Sequence, residues 1–414
     1  MAGALARWRA ALLAVAIVAG VAPAVSAQPI ATLSPPPPVL PQDQRRSDAE
    51  ALADDARIYA QRYGVGLEEA MARLRAQEAS VVETDAIAEA YRDRLAGISI
   101  EHMPVYRIVV LLTGDEPVPD RMIAAGGIDV PIVFRAGAPA SRRAVLDAIA
   151  MHQADIRAAL VDPPGMGVDQ RSGRLLLAVG AADADGEGLP AIEARIGVLA
   201  GVPVHAIVPG RSADFDVAGG ERLEYADHQA HRRYRCTSGF VVTDGARTAI
   251  ATAAHCPDML DHVADDGTRT PLTMVGAWGA RDQDVQIHVG PAAMPPLFET
   301  GPGLRAVTSW RNRASLRVGD FVCHQGITTG YSCAEIAIPD YAPPGDLCAG
   351  PCPATWVAVA GPHCAHGDSG GPVFLGGTAF GLVKAGSYRG DGSCTFYYFM
   401  STDYLPQGWS LLRG

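Results

Sequence analysis

The sequence predicts two folded parts, an α+β domain followed by an all-β domain of antiparallel strands. Between residues 47 and 208, segments with apolar residues at helical spacing alternate with short β-rich runs. After residue 239, short strand-like runs are separated by turns rich in glycine, proline and aspartate, which is typical of a barrel or sandwich. All eight cysteines lie between Cys236 and Cys394, within this second part.

The start of the chain has the features of a secretory signal peptide. Arg7 and Arg9 precede an apolar run over residues 10–22, and small residues lead to Ala27. Because this run is short for a membrane span, an uncleaved anchor is the weaker alternative. We therefore expect residues 1–27 to be removed and the product to be secreted, extracellular or periplasmic, without a membrane anchor. Proline-rich residues 28–46 predict an extended linker.

The net charge and the cysteine spacing exclude several classes of partner. The 45 acidic and 34 basic residues give a net charge of -11, which argues against a nucleic-acid partner. The cysteines lack the doubled Cys-x-x-Cys spacing of zinc sites, so the sequence indicates no metal, and we expect no cofactor. We expect a monomer.

Helical spacing begins at a capping box in the first part. Ser47 is followed by Glu50, and the helix that they start should end at Gly64. A second helix should reach about Ala79. A third helix is predicted to carry Ile87, Tyr91 and Leu95 on one face. Beyond residue 97 we expect strands at 106–112, 128–134, 174–180 and 204–208, and helices at 141–160 and 190–199 on one side of a small sheet.

The second part is predicted to be built from short strands. We expect them at residues 239–243, 248–253, 285–289, 321–324, 356–359, 373–375 and 379–383. Residues 404–412 predict a terminal helix.

The sequence Gly-Asp-Ser-Gly-Gly-Pro, from Gly367 to Pro372, carries the strongest chemical signal. Ser369 is a candidate nucleophile, which would need a base beside it and donors for the oxyanion that forms. Gly367 would allow its own N–H and that of Ser369 to converge on one oxygen. Asp368 would be buried and need a positive or N–H partner, for example a new amino terminus made by processing. The alternative is an ordinary polar surface turn.

A second motif, Thr-Ala-Ala-His-Cys, ends a predicted strand at His255. A histidine beside alanines is more often a packed residue than a catalyst. However, this motif followed by Gly-Asp-Ser-Gly-Gly-Pro resembles the chymotrypsin-like serine peptidases. The resemblance implies that His255 is the base and Ser369 the nucleophile, with two six-stranded antiparallel barrels around them.

The acid of the implied triad has two candidates. Asp284 directly precedes an apolar alternation, at the start of a predicted strand, and the resemblance favours it. Asp282 lies two residues earlier and would point the same way along a strand.

Four disulfides are expected, although counting alone does not fix their connectivity. Cys236 and Cys256 are equidistant from a turn at residue 246, and Cys323 and Cys333 are equidistant from Thr328. Hairpins at those turns would pair them. Cys364 and Cys394 would tie the Ser369 loop to a later segment, which leaves Cys348 and Cys352 as a local pair.

Residues 60–70 look like the pro-segments of the streptogrisin and alpha-lytic protease group. The resemblance implies a pro-region, residues 47–216, that assists folding of the protease and inhibits it until removed. Cleavage near Val217 would leave a peptidase domain of residues 217–414. The alternative is a binding domain that stays attached.

The residues predicted to line the substrate pocket are His363, Lys384, Ala385, Gly386 and Tyr398. The segment before Ser369 offers no carboxylate where the family's arginine- and lysine-cleaving members carry aspartate, which argues against a trypsin-like preference. The strand over residues 381–387 matches the family's substrate-binding strand, but Lys384 stands where serine is usual. The sequence is compatible with two alternative kinds of substrate pocket. Phe396, Tyr397 and Tyr398 would wall an apolar pocket, whereas Lys384 with His363 or His366 would favour an acidic side chain.

The sequence thus predicts a secreted serine endopeptidase that hydrolyses peptide bonds through an acyl-enzyme and is made as a zymogen. Its partners would be a polypeptide substrate and its own pro-region. The alternative is a secreted binding protein that retains a peptidase scaffold without turnover.

Overall fold

The computed structural model describes residues 45–209, 211–214, 221–227, 232–264, 266–361 and 363–414. The predicted signal peptide, nearly all of the predicted linker and the expected cleavage point near Val217 lie outside these residues. All of the described residues belong to one compact unit. None of the helices in the described ranges is long and apolar enough to cross a membrane.

The described residues contain six α-helices and 26 strands. The helices are α1 Asp48–Tyr63, α2 Leu67–Ala79, α3 Val81–Ala90, α4 Arg142–Ala158, α5 Ala181–Glu187 and α6 Leu189–Ala200. The strands of the N-terminal part are β1 Leu95–Glu101, β2 Arg107–Thr113, β3 Arg121–Ala125, β4 Ile128–Ala138, β5 Gly165–Asp169, β6 Arg174–Ala178, β7 Val204–Ile207 and β8 Arg211–Asp214.

The C-terminal part is built almost entirely of strands. They are β9 Arg222–Asp227, β10 Arg232–Thr237, β11 Val241–Thr243, β12 Thr248–Thr252, β13 Asp261–Val263, β14 Arg269–Pro271, β15 Thr273–Trp278, β16 Val285–Val289, β17 Leu297–Thr300, β18 Gly303–Ala306, β19 Ser309–Trp310, β20 Phe321–Gly326, β21 Gly330–Ala342, β22 Trp356–Ala360, β23 Pro372–Leu375, β24 Thr378–Tyr388, β25 Cys394–Ser401 and β26 Ser410–Leu411. Short 3-10 helices lie at Arg313–Ser315 and Thr402–Tyr404.

The first helix begins and ends where its capping residues predict. Ser47 Oγ accepts a hydrogen bond from Glu50 N–H, and the Glu50 carboxylate accepts one from Ser47 N–H at 2.9 Å. Gly64 ends the helix with φ 66°, a left-handed conformation that glycine adopts without strain. The third helix is shorter than predicted. It ends at Ala90, and Leu95 instead begins β1 opposite Leu112, because pairing with β2 overrides the local helical spacing.

The strands of the N-terminal part divide between two sheets rather than forming the single small sheet that the sequence predicts. One sheet has the order β1-β2-β4-β3. Strands β5, β6 and β7 form the second group, and Met166 and Gly167 of β5 pair with Ala342 and Tyr341 of β21. Helices α4 and α6 share an apolar core with this second group. The N-terminal part therefore extends a sheet of the C-terminal part.

The C-terminal part contains a closed barrel of six antiparallel strands. Its order is β20-β23-β24-β25-β22-β21, and β21 pairs back onto β20. Ahead of it, two antiparallel sheets have the orders β10-β9-β13-β14 and β15-β16-β12-β11-β26. This arrangement confirms the chymotrypsin-like all-β fold class. The predicted terminal helix is wrong, because Ser410 and Leu411 form β26 on the edge of β11 and so satisfy backbone groups there.

All four predicted disulfides are present in the C-terminal part. They join Cys236 to Cys256, Cys323 to Cys333, Cys348 to Cys352 and Cys364 to Cys394. The first bridge ties β10 of one sheet to the residue that follows His255.

A buried carboxylate joins the two parts of the chain. Asp55 of α1 accepts a hydrogen bond from Arg305 Nη1 at 2.8 Å and another from the Tyr331 hydroxyl. Its second oxygen accepts from Gly376 N–H at 2.5 Å. The side chains of Asp55 and Arg305 are both fully buried. Removing one of them would leave the other charge without its main partner in a low-dielectric site.

We expect Asp55→Ala to lower the free energy of unfolding of the intact chain by about 3 kcal/mol, because Arg305 would lose its bonded carboxylate. Urea unfolding followed by tryptophan fluorescence measures this difference. Glu68→Ala, at an exposed position on α2, is the matched control and should change stability by less than about 0.5 kcal/mol. Equal effects of the two substitutions would contradict the importance of the buried pair.

Candidate active site

Three side chains from distant positions meet in one hydrogen-bonded row. The ring of His255 has its Nδ1 2.8 Å from Asp284 Oδ2 and its Nε2 2.7 Å from Ser369 Oγ. Asp284 and Ser369 are buried, while 18 % of the His255 side chain is exposed. The structure therefore brings together the three residues that the sequence proposes as acid, base and nucleophile.

The pairing of β12 with β16 places His255 beside Asp284. Thr252, the last residue of β12, lies opposite Gln286 of β16 in an antiparallel register. Continuing that register by two residues brings the end of one strand to the start of the other. His255 N–H also donates to Asp284 Oδ1 at 3.2 Å, so both carboxylate oxygens accept from the same residue.

Asp284, rather than Asp282, is the carboxylate that contacts the imidazole. Asp282 instead accepts a hydrogen bond from the Thr355 hydroxyl at 2.8 Å. Burial by itself would raise the pKa of Asp284, but the nearby charges of His255 and Lys384 more than offset it and hold the pKa below its usual range. Asp284 is thus ionised whenever the site is folded at ordinary pH.

The turn that carries Ser369 is buried rather than a surface turn. Gly370 N–H donates to Val383 O at 2.7 Å, which aligns the turn with β24. Gly370 has φ 83°, and a Cβ there would lie 2.2 Å from Thr252 Oγ1, so the position requires glycine. Gly367, the predicted oxyanion donor beside Ser369, has φ 120° and likewise adopts a conformation that glycine favours.

Asp368 finds N–H partners in the intact chain. Its Oδ1 accepts from the N–H groups of Thr328 and Thr329 at 3.3 and 3.2 Å. Its Oδ2 accepts from the Thr329 hydroxyl at 2.7 Å and from Ala365 N–H at 3.0 Å. The carboxylate is therefore bonded without the new amino terminus that the sequence suggests as one candidate partner.

Lys384 does not line a pocket as predicted. Its Nζ lies 3.2 Å from Asp284 Oδ2, and only 3 % of its side chain is exposed. The ammonium group is therefore held at the triad carboxylate, away from the solvent, and is not offered to an acidic substrate side chain. The reason is that a buried lysine needs a counter-charge, which Asp284 supplies.

The other predicted pocket residues lie on β24, on β25 and in the loop before Ser369. Ala385 and Gly386 of β24 pair with Tyr398 and Tyr397 of β25. Tyr398 belongs to a buried apolar cluster that includes Leu176 of the N-terminal part. His363 and His366, the two histidines proposed for acidic recognition, are exposed in the loop before Ser369. The ring of His366 stacks on Tyr388, with the ring centroids 5.7 Å apart. That His363 lies beside a bound substrate stays a prediction.

Strand β8 of the N-terminal part pairs with the strand that the sequence predicts to bind substrate. In antiparallel register, Asp214 lies opposite Ala385 and Ala213 lies opposite Gly386. The pairing continues to Arg211 opposite Tyr388. The edge of β24 next to the triad is therefore already occupied by this chain's own backbone.

The described residues also hold one close group of possible metal ligands, Asp55 with Cys323 and Cys333. Both sulfurs are bonded to each other, and the carboxylate is bonded to Arg305. These atoms are therefore in use and do not form a metal site.

Part of the sequence is similar to a known protease. It is 28 % identical to streptogrisin C of Streptomyces griseus over 225 residues, which cover 51 % of this chain and 45 % of that protein. The chain resembles serine peptidases of the streptogrisin type. It spans less than half of the length of streptogrisin C.

Solved protease structures are also similar to part of the chain. Protease A of Thermobifida fusca is 23 % identical, and the match covers 48 % of this chain and 99 % of that one with a TM-score of 0.36. Nocardiopsis protease is 20 % identical, with 45 % and 92 % covered and a TM-score of 0.34. No protein-family model matches the chain.

Two features of this site could not be predicted from the sequence alone. One is the use of Lys384, whose partner is decided by tertiary contact, although its being the only lysine of the chain was a signal. The other is β8, a four-residue strand with little apolar character that forms only because an unpaired edge lies beside it.

We expect Thr329→Val to lower the free energy of unfolding by about 2 kcal/mol, because Asp368 loses a hydrogen bond from a hydroxyl to a buried charge. Thr329→Ser keeps that hydroxyl and is the matched control, with a much smaller loss. Urea unfolding of both variants measures the difference. If valine and serine destabilise the protein equally, the hydroxyl contact is not what supports the turn.

Proposed function

We propose that the protein is a secreted serine endopeptidase that hydrolyses peptide bonds through an acyl-enzyme. The single observation that carries this proposal is the continuous row from Asp284 through His255 to Ser369, with both contacts under 3 Å. A hydroxyl, an imidazole and a buried carboxylate in this order match the requirements of an activated serine nucleophile. The similarity to streptogrisin C supports the same chemistry.

In the proposed reaction, Ser369 Oγ attacks the scissile carbonyl while His255 Nε2 takes the hydroxyl proton. The Asp284 carboxylate holds Nδ1–H and stabilises the imidazolium without itself becoming protonated. The imidazolium then gives its proton to the leaving amine as the C–N bond breaks. Water repeats the sequence on the ester and regenerates Ser369. Backbone N–H groups of Gly367 and Ser369 would donate to the oxyanion, a contribution of about 3 to 4 kcal/mol per donor.

We further propose that the N-terminal part, residues 47–216, is a pro-region that assists folding, inhibits the enzyme and is later removed. Support comes from β8, whose backbone lies on the β24 edge that a substrate strand would use. Support also comes from Asp55 and β5, which bring N-terminal contacts to the C-terminal barrel. A barrel dominated by non-local pairings folds slowly, so a bound template would speed it.

The signal peptide predicted over residues 1–27 supports secretion, and the four disulfides suit an oxidising compartment. We propose that the peptidase is a monomer. It would need no metal or cofactor, because the proposed reaction requires only the side chains and backbone donors of the site.

We expect Ser369→Ala to reduce turnover of a casein or peptide substrate on the order of a millionfold, since it removes the nucleophile. Asp284→Asn should reduce it about ten-thousandfold, because the amide has no charge to stabilise the imidazolium and can donate N–H to Nδ1, which favours the wrong tautomer. Asp282→Asn, two residues away and bonded to Thr355, is the matched control.

Steady-state kinetics on the three purified variants distinguish a serine peptidase that uses Ser369 from a scaffold without turnover. Normal cleavage by Ser369→Ala would contradict the assignment. A non-catalytic scaffold would leave all three variants, and the unaltered protein, equally inert towards an organophosphate that labels activated serines.

We expect the secreted product to begin within a few residues after Asp214, since the β8 backbone runs along the substrate edge up to that residue. Mass spectrometry of the intact product, with sequencing of its amino terminus, locates the cut. The Ser369→Ala chain should stay uncut when secreted alone if processing is autocatalytic. A product that still carries residues 47–214 in the active, secreted protein would contradict removal of the N-terminal part.

A further inference from the structure

The carboxylate of Asp284 is shared between an imidazole and an ammonium group at the same oxygen. Oδ2 lies 2.8 Å from His255 Nδ1 and 3.2 Å from Lys384 Nζ. The Lys384 side chain is 3 % exposed and that of Asp284 is 2 % exposed, so solvent screens the pair very little. Lys384 Nζ also lies 5.2 Å from the centre of the Trp356 ring, at a distance suited to a cation–π contact.

Lysine at this position is unusual for this chain. The protein has 34 lysine and arginine residues, and Lys384 is the only lysine among them. An ammonium group is a compact charge, whereas the wider guanidinium fork of arginine requires more space beside the carboxylate. Every other basic residue of this kind is arginine, and the one lysine, Lys384, lies at an enclosed position next to the proposed triad.

The same strand segment also touches the proposed nucleophile. Ser369 Oγ lies 3.3 Å from the Lys384 carbonyl oxygen, and Val383 N–H donates to Gly371 O at 2.9 Å. The backbone of Lys384 is therefore fixed beside Ser369 while its side chain reaches Asp284. Any change at the ammonium group acts on the carboxylate and, through it, on the imidazole.

A second cation at Asp284 changes the electrostatics of His255. A buried carboxylate alone favours the imidazolium form, because opposite charges attract strongly where solvent is excluded. A neighbouring ammonium cancels much of that field and repels the proton on the ring. The neutral imidazole, which is the form that accepts the proton from Ser369, then persists to lower pH.

Asp282 and several neutral groups also lie near this pair. Asp282 is the nearest acidic residue along the chain, and it is bonded to Thr355 instead. Neutral neighbours among the described residues include Trp356 of β22, Met400 of β25, whose sulfur accepts from Asp284 N–H, and Gln283, which donates to the carbonyl of Tyr404.

We propose that Lys384 is a positioning residue that holds the Asp284 carboxylate and keeps His255 uncharged in mildly acidic solution, so that the peptidase works at lower pH than it would with serine at this position. This inference rests on the proposed function. The pKa of Asp284, held below its usual range, agrees with a carboxylate that has two cationic partners.

The test measures how the rate of serine labelling depends on pH, which needs no knowledge of the natural substrate. A fluorophosphonate reacts by forming an Oγ–P bond at Ser369 and losing fluoride, while His255 takes the hydroxyl proton. The secreted protein, produced from the full chain, is labelled across the acidic and neutral range. The variants are Lys384→Ser, which restores the usual residue, Lys384→Met, which keeps the length without the charge, and Lys384→Arg, which keeps the charge.

We expect the unaltered protein to have the midpoint of its acid limb about one pH unit below the midpoints of the serine and methionine variants. At the midpoint pH of the unaltered protein, the labelling rates of these two neutral variants should be about tenfold below their own plateau rates. The arginine variant should stay closer to the unaltered protein than either neutral variant does.

Unchanged midpoints in both neutral variants would overturn the proposal, even if their plateau rates fell, because a purely structural role lowers rates without moving the pH profile. An unaltered protein that is not labelled at any pH would instead contradict the proposed peptidase function itself.

Discussion

The burial of one charged carboxylate, Asp284, is the constraint on which the site depends. A charge removed from water is tolerated only when donors surround it, and here they come from the segment after β12 and from β24. The register of β12 and β16 brings His255 to one side, and β24 brings Lys384 to the other. Because β24 also aligns the Ser369 turn through Val383, the strand that neutralises the acid also positions the nucleophile. Barrel closure and the proposed chemistry therefore rest on the same strand pairings.

The same physical rule governs how the N-terminal part is attached. Its contacts with the C-terminal part include buried ions as well as backbone pairing, as at Asp55 with Arg305 and at β8 with β24. Each ion satisfies a group that water would otherwise have to solvate, so separation of the two parts requires solvation of Arg305 at the same time. Backbone pairing by β8 adds hydrogen bonds that depend little on sequence, which suits a segment that occupies a general substrate edge.

Local signals explain which elements could be predicted. The capping box at Ser47, the stop at Gly64 and the symmetry of Cys323 and Cys333 about one hairpin act over a few residues, and the structure agrees with each of them. Predictions fail where a distant partner decides. Leu95 continues a helical pattern yet joins β1, and residues 410–411 pair with β11 instead of forming a helix. In each case sheet pairing also satisfies the backbone groups of the partner strand, which a local helix would have left unpaired.

The sequence by itself determined which residues could supply the hydroxyl, the imidazole and the carboxylate, with Asp284 and Asp282 as candidate acids. It also predicted the disulfide pairs without fixing them, because motifs and spacing record residue types and short loops. Only the tertiary structure decided between the two acids, assigned backbone and hydroxyl donors to Asp368, and turned Lys384 from the expected pocket wall towards the triad. The physical reason is that the partner of a buried charge is set by which strands lie side by side, and that arrangement joins residues far apart in the chain.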